Sequence, residues 1–361
     1  MIRSLLAAVL GLALTPVVGS AADAPPASGP TLSPELAREY VRPHELVDIG
    51  GGRKLNLVCM GSGERTVLFD SGGSDWSVIW SLVQPEVAKG ARACAYDRAG
   101  LGYSDPAMLP RTPVAIVEDM HALIVAAKLP RPLVLVGHSL GGFNVKLYAA
   151  LYPDDVAGLV LVDPSEERAA DRTRIMMTKK FGAGFMARAE LLDQAFGTFL
   201  LERYRRCAEA SREGPLDPAS LTYRRCSDPV RTQMGDVVAA ERQRIQVGQA
   251  YQTAQASEIL NSIYGDTRGD PIYAGLFRPG AFGDKPMVVL THGNFDPEDP
   301  LDAASQTQIV ALHTETAALS RRGRQRVVPN TNHNIELDDP KAIVDAVATV
   351  LAELEAAGKT R

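Results

Sequence analysis

From about Val41 onward, short apolar runs alternate with stretches whose apolar positions recur at helical spacing. Thr66 to Asp70, Ala91 to Tyr96, Leu133 to Val136, Leu159 to Val162, Met287 to Leu290 and Arg326 to Val328 are predicted strands. Trp76 to Ala88 is predicted helical, and Thr112-Pro113 opens a helix that carries Ile116, Val117, Met120, Ile124 and Ala127 on one face. A closing helix starts at Asp339-Pro340, with Ile343, Val347, Val350, Leu351 and Leu354 as its buried stripe. Near the start, Gly50-Gly51-Gly52 separates His44 to Ile49 from Lys54 to Met60, the pattern of a hairpin. The alternation predicts an α/β fold, a mostly parallel sheet with helices on both faces.

The pattern breaks at both ends of this core and once inside it. Residues 1–22 combine Arg3, an apolar run from Leu5 to Val18 and the small residues Gly19-Ser20-Ala21-Ala22, the form of a secretory signal. That run is shorter than the roughly 20 residues of a permanent span, so an exported protein, periplasmic or secreted and without a stable membrane span, is expected. Residues 23–40, rich in Pro, Ala, Ser and Gly, are expected to form a flexible leader. The core then runs over 41–164, and 165–285 is an insertion of mainly helical pattern expected to act as a lid. The core resumes over 286–361.

Composition narrows the partners. The 361 residues are 45% hydrophobic and 22% charged, with 43 acidic against 38 basic side chains and no long block of one sign. That balance gives no electrostatic footprint for nucleic acid and suits a small, roughly neutral substrate. Four cysteines in an exported chain permit disulfides. Cys207 and Cys226, in two Tyr-Arg-Arg-Cys contexts, could close a short loop, while Cys59 and Cys94 could equally be a second bridge or buried thiols. Their spacing resembles no zinc site.

The chemistry centres on Gly137-His138-Ser139-Leu140-Gly141, the single G-x-S-x-G match, set between a buried strand and a helix. There a sharp turn can lift the serine above the sheet. With it stand Ser71-Gly72-Gly73-Ser74, the turn Tyr96-Asp97-Arg98-Ala99-Gly100, and Asn332-His333-Asn334 after the last strand. In order and spacing these stretches resemble the α/β-hydrolase superfamily from about Val41 to Leu354, apart from the insertion, though Ser71 stands where many members have histidine. The resemblance implies a serine hydrolase without metal or organic cofactor. Backbone N–H groups of Gly73 and Leu140 would then form the oxyanion hole.

Serine needs a base within hydrogen-bond reach, and His333, in a polar loop at the ligand-collecting end of the sheet, is the candidate. His44, His121, His292 and His313 have structural explanations, and the His138 side chain is expected to point away from that of Ser139. The acid has two candidates. Asp163 ends the strand after the nucleophile, an arrangement similar to that of some superfamily members. Asp296, in Thr291-His292-Gly293-Asn294-Phe295-Asp296, resembles the more widespread position. Asp163 is preferred, because Glu298, Asp299 and Asp302 crowd the Asp296 loop and the stretch from there to His333 is long. In the insertion, Phe181, Phe185, Met186, Leu191, Phe196, Phe199 and Leu200 could line an acyl pocket or simply form lid core.

The expected activity is hydrolysis of a carboxylic ester of a small molecule. A lactonase, thioesterase, amidase or carbon–carbon hydrolase would use the same constellation. A binding protein that kept the fold without turnover is the alternative outside enzymes.

Overall fold

The computed structural model describes residues 31–167, 169–263 and 265–359. The expected signal segment and residues 23–30 of the leader lie outside these. Eight strands, β1 (Glu45–Asp48), β2 (Lys54–Met60), β3 (Thr66–Asp70), β4 (Arg92–Tyr96), β5 (Leu133–His138), β6 (Val156–Val162), β7 (Met287–His292) and β8 (Gly323–Val328), form one sheet in the order β1-β2-β4-β3-β5-β6-β7-β8. The pairs β1·β2 and β2·β4 are antiparallel and every later pair is parallel.

Side chains alternate across a pleated strand, and here the alternation separates two cores. Val67, Phe69, Val134, Val136, Val160 and Val162 enter one. Their neighbours Leu68, Leu133, Leu135, Leu159 and Leu161 enter the other. With both faces covered, the central strands can be apolar throughout, which is why they appear as continuous runs rather than alternating ones.

The helices begin earlier than the composition suggests. Residues 34–40, expected in the loose leader, form α1 (Pro34–Tyr40), because Ser33 caps it by accepting from Leu36 N and Pro34 pre-sets the first turn. Leu32 N donates to Gln233 O at 3.0 Å, and the Tyr40 hydroxyl to Gln84 Oε1 at 2.9 Å, so this segment is packed onto the body. The helix expected over Trp76 to Ala88 is instead a 3-10 turn, Ser77–Trp80, followed by α2 (Gln84–Val87). Tertiary acceptors divide it: Ser77 N donates to Asp97 Oδ1, and the buried Gln84 amide donates to Val58 O and Ala93 O of two strands.

Next come α3 (Pro113–Ala126), capped by Thr112, and α4 (Leu140–Leu151), which leaves β5 directly. Between β6 and β7 the chain is helical: α5 (Ala169–Phe181), α6 (Ala183–Ala210), α7 (Leu221–Cys226), α8 (Gly235–Gln246), α9 (Gln249–Asn261) and α10 (Asp270–Leu276). The core closes with α11 (Pro300–Ala317), α12 (Ile335–Asp338) and α13 (Pro340–Lys359). Both cysteine pairs are bridged. Cys59 and Cys94 face each other across β2 and β4, and Cys207 of α6 joins Cys226 of α7. Among the described residues no helix is long and apolar enough to cross a membrane.

Candidate active site

The carboxyl ends of β3, β5, β6, β7 and β8 carry the site. At the end of β5, Ser139 holds φ 50° and ψ −119°, a conformation side chains rarely adopt. The turn survives because its neighbours are glycines: a Cβ on Gly137 would stand 2.3 Å from Gly141 O, and one on Gly141 2.3 Å from Asp70 O. Ser139 N donates to Val162 O and Ser165 N to Ser139 O, tying the turn to β6 and the start of the insertion. The Ser139 hydroxyl lies 3.4 Å from Ser165 Oγ.

Asp163 follows β6 and is itself strained, at φ 43°. Its Oδ2 accepts from His333 Nδ1 at 2.6 Å and from His292 Nδ1 at 2.7 Å, while Oδ1 accepts from His292 N at 3.1 Å. Burial alone would raise the pKa of this carboxyl. The hydrogen bonds and charges of the two histidines outweigh it and hold the group well below the usual carboxylate range. An ionised acceptor fixes the tautomer: His333 carries its proton on Nδ1, leaving Nε2 as a base.

Asp296, the other acid considered, is exposed and spent on its own loop. Its N–H donates to Asp302 Oδ2 and its Oδ1 accepts from Glu298 N. Asp163 and His333 are thus brought together, and Asp296 makes no hydrogen bond to His333 among the described residues. The His333 imidazole makes none to the Ser139 hydroxyl either.

What joins the histidine loop to the serine turn is His138. Its side chain bonds to the histidine loop: Nε2 donates to His333 O at 2.9 Å, with the two rings 4.7 Å apart. Burial, then the neighbouring His333, brings the His138 pKa down to about 3, so this imidazole is neutral. Its other nitrogen, Nδ1, lies 3.2 Å from Glu336 Oε1. Burial pushes the Glu336 pKa well above the usual range. Despite that distance, neither Glu336 carboxyl oxygen nor His138 Nδ1 has a hydrogen-bond partner among the described residues.

Gly73 and Leu140 lie side by side: a Cβ on Gly73 would be 3.9 Å from Leu140 Cβ and 4.0 Å from Ile259 Cδ1 of α9. Among the described residues neither backbone N–H has a hydrogen-bond acceptor. Of the apolar insertion residues, Phe181, Phe185 and Met186 pack with Met177 and Ala304, and Leu200 packs with Ile259. Leu191 and Phe199 are exposed, and the Phe196 side chain lies outside those described.

Sequence reasoning missed the roles of His292 and His138. The first stands at the end of β7, next to β6 in the sheet, and that adjacency was its available signal. Asp163, His292 and His333 have ligand atoms within 4.8 Å of one another, a set that could hold a metal ion. Both Nδ1 atoms already face Asp163 as proton donors.

Comparison with known proteins identifies the family. The model of the alpha/beta hydrolase fold family matches residues 65–340, and the chain belongs to that family. It is 32% identical over 139 residues to 2-hydroxymuconate semialdehyde hydrolase of Pseudomonas sp., covering 37% of this chain and 46% of that protein. It is 30% identical over 136 residues to protein YqjL of Bacillus subtilis, covering 35% and 54%. Among solved structures, a thermophilic esterase from Thermogutta terrifontis superposes over 87% of this chain and 99% of its own, with TM-score 0.54 and 18% identity, a likeness of fold. The matches span from 15% to 54% of the lengths of the curated relatives.

Proposed function

We propose that the protein is an exported serine hydrolase that cleaves a carboxylic ester, or a related acyl bond, of a small molecule through an acyl-enzyme on Ser139. The observation that carries this reading is the 2.6 Å bond from His333 Nδ1 to the ionised Asp163, which leaves Nε2 as the free ring acceptor of a histidine whose backbone is bonded to His138, the residue before Ser139. The hydrolase and esterase among the similar proteins favour it.

In the mechanism, Ser139 Oγ attacks the acyl carbon as His333 Nε2 takes its proton, and Asp163 stabilises the imidazolium. The carbonyl oxygen becomes an oxyanion facing the N–H groups of Gly73 and Leu140. Collapse expels the alcohol, which receives the proton from Nε2. Water then repeats the sequence on the acyl-enzyme and frees the acid. The approach of Ser139 to His333 is completed when substrate displaces the hydroxyl from Ser165, since hydrogen bonds of this kind often tighten only in the complex. The helices between β6 and β7 act as the lid over this site.

A fluorophosphonate probe tests the nucleophile: wild type should be labelled and Ser139→Ala should not. Esters of graded acyl length, with a lactone, a thioester and an amide alongside, then define the bond. Absence of labelling, or equal labelling of both proteins, would favour a binding protein.

A further inference from the structure

We infer that Glu258, carried by α9 of the inserted segment, is a positioning residue that holds the oxyanion loop in its working shape. The inference rests on the serine-hydrolase reading and adds to it a part that the insertion plays in the chemistry.

A guanidinium has five N–H donors in a fixed fork. Buried Arg98 uses all five: Nε donates to Glu258 Oε1 at 2.6 Å, and Nη1 to Asp70 Oδ1 at 2.8 Å and Ser71 O at 2.6 Å. Nη2 donates to Gly72 O at 2.6 Å and Glu258 Oε2 at 3.0 Å. Glu258 Oε2 also accepts from Ser74 N at 3.0 Å. The two residues before Gly73 are therefore gripped through their carbonyls by Arg98, and the residue after it is gripped through its amide by Glu258. Gly73 N, held between them, keeps its donor free.

This grip works against strain. Ser74 sits at φ 66°, in the left-handed region that favours glycine, so the loop holds that shape only where its surroundings dictate it. Glu258 and the Arg98 side chain are wholly buried, and Glu258 is the acceptor they share with the loop. Without its carboxylate, Arg98 loses two of its five acceptors and Ser74 N is orphaned. An oxyanion donor is effective because it is fixed before the charge develops, so a loosened Gly73 affects the transition state more than ground-state binding.

The test compares wild type with Glu258→Gln and Glu258→Ala in the full chain. Hydrogen exchange followed by mass spectrometry should show faster exchange over residues 70–76 in Glu258→Ala, with peptides from β5 and β6 unchanged. Ester turnover, measured below the unfolding transition, should fall about 10- to 100-fold in kcat with KM within about twofold, since loss of a whole oxyanion donor costs about a hundredfold or more. Affinity for a trifluoromethyl ketone, which forms the same oxyanion, should fall by the factor lost in kcat/KM. Glu258→Gln, which keeps an acceptor, should recover part of each effect.

Unchanged loop exchange, or a loss confined to KM or to thermal stability, would overturn the inference. If wild type cleaves no acyl bond, the proposed function fails, and the exchange measurement alone decides whether Glu258 holds the loop.

Discussion

His292 and His333 donate through the same ring nitrogen to the same oxygen, Asp163 Oδ2, at 2.7 and 2.6 Å. One buried carboxylate therefore serves two imidazoles. Burial disfavours a charged His292, but the hydrogen bond to Asp163 and the charges of Asp163 and Asp302 outweigh it, so its pKa is raised. When His292 protonates, its charge offsets that of Asp163, which His333 also uses. His292→Ala gives the carboxylate to His333 alone, and the acid limb of kcat/KM against pH should move to higher pH. A limb that stays in place, measured on an ester that is stable over the range, would rule out this coupling.

The same pair makes a stability prediction. A histidine whose pKa is raised on folding adds stability below its unfolded pKa, about 6.5, and loses it as pH climbs through the folded value. Thermal unfolding of wild type and His292→Ala should therefore differ more at pH 5 than at pH 8.5. Asp163 works in the opposite sense. Its depressed pKa stabilises the fold above about pH 3.9 and that contribution fades as pH falls further.

The two acids separate by substitution. Asp163→Asn replaces an acceptor with an amide that allows the wrong His333 tautomer, and kcat should fall by about four orders of magnitude. Asp296→Asn disturbs an exposed loop and should leave kcat within about twofold of wild type, as surface changes away from a site usually do. Comparable losses in both variants would refute the assignment.

Much of this was legible beforehand, and the reasons differ by element. The apolar runs of β3, β5 and β6 announce themselves because both faces of those strands are covered. Ser139 and His333 stand out as candidates because a strained turn needs glycines around it and a candidate base suits a polar loop. The helix expected from Trp76 to Ala88 failed because periodicity carries no record of Asp97, which takes the Ser77 amide, or of the strands that engage Gln84. His292 and Glu258 stayed hidden for a related reason: their partners lie 129 and 184 residues away in Asp163 and Ser74. The candidate acid was only half legible: Asp163 directly follows β6 and Asp296 lies in the loop after β7, and the sequence alone does not say which of them reaches His333.

The disulfide within the insertion gives a prediction independent of catalysis. Cys207 and Cys226, 19 residues apart, close a loop packed around Leu216. Constraining an unfolded loop of that length is worth about 3 kcal/mol in the chain-entropy account. The double replacement Cys207→Ser with Cys226→Ser should lower the stability measured by urea unfolding by about that amount. Activity below the new transition should persist, because both cysteines pack with Leu216 within the insertion.

The buried Glu336 carboxyl makes stability depend on pH. It lies 3.2 Å from His138 Nδ1, and burial raises its pKa well above the usual carboxylate range, so the folded chain holds this proton to higher pH than the unfolded one. The folded state then binds more protons than the unfolded state from about pH 4.3 upward, so this group makes stability fall as pH rises. Glutamine keeps the size but has no proton to lose. Glu336→Gln should therefore gain stability over wild type as pH rises from 4 to 8, with kcat nearly unchanged. His138→Phe, which leaves the His333 carbonyl without its donor, should cost about 1–3 kcal/mol and lower kcat as well. If Glu336→Gln instead loses stability with rising pH, burial does not raise the Glu336 pKa in the folded protein.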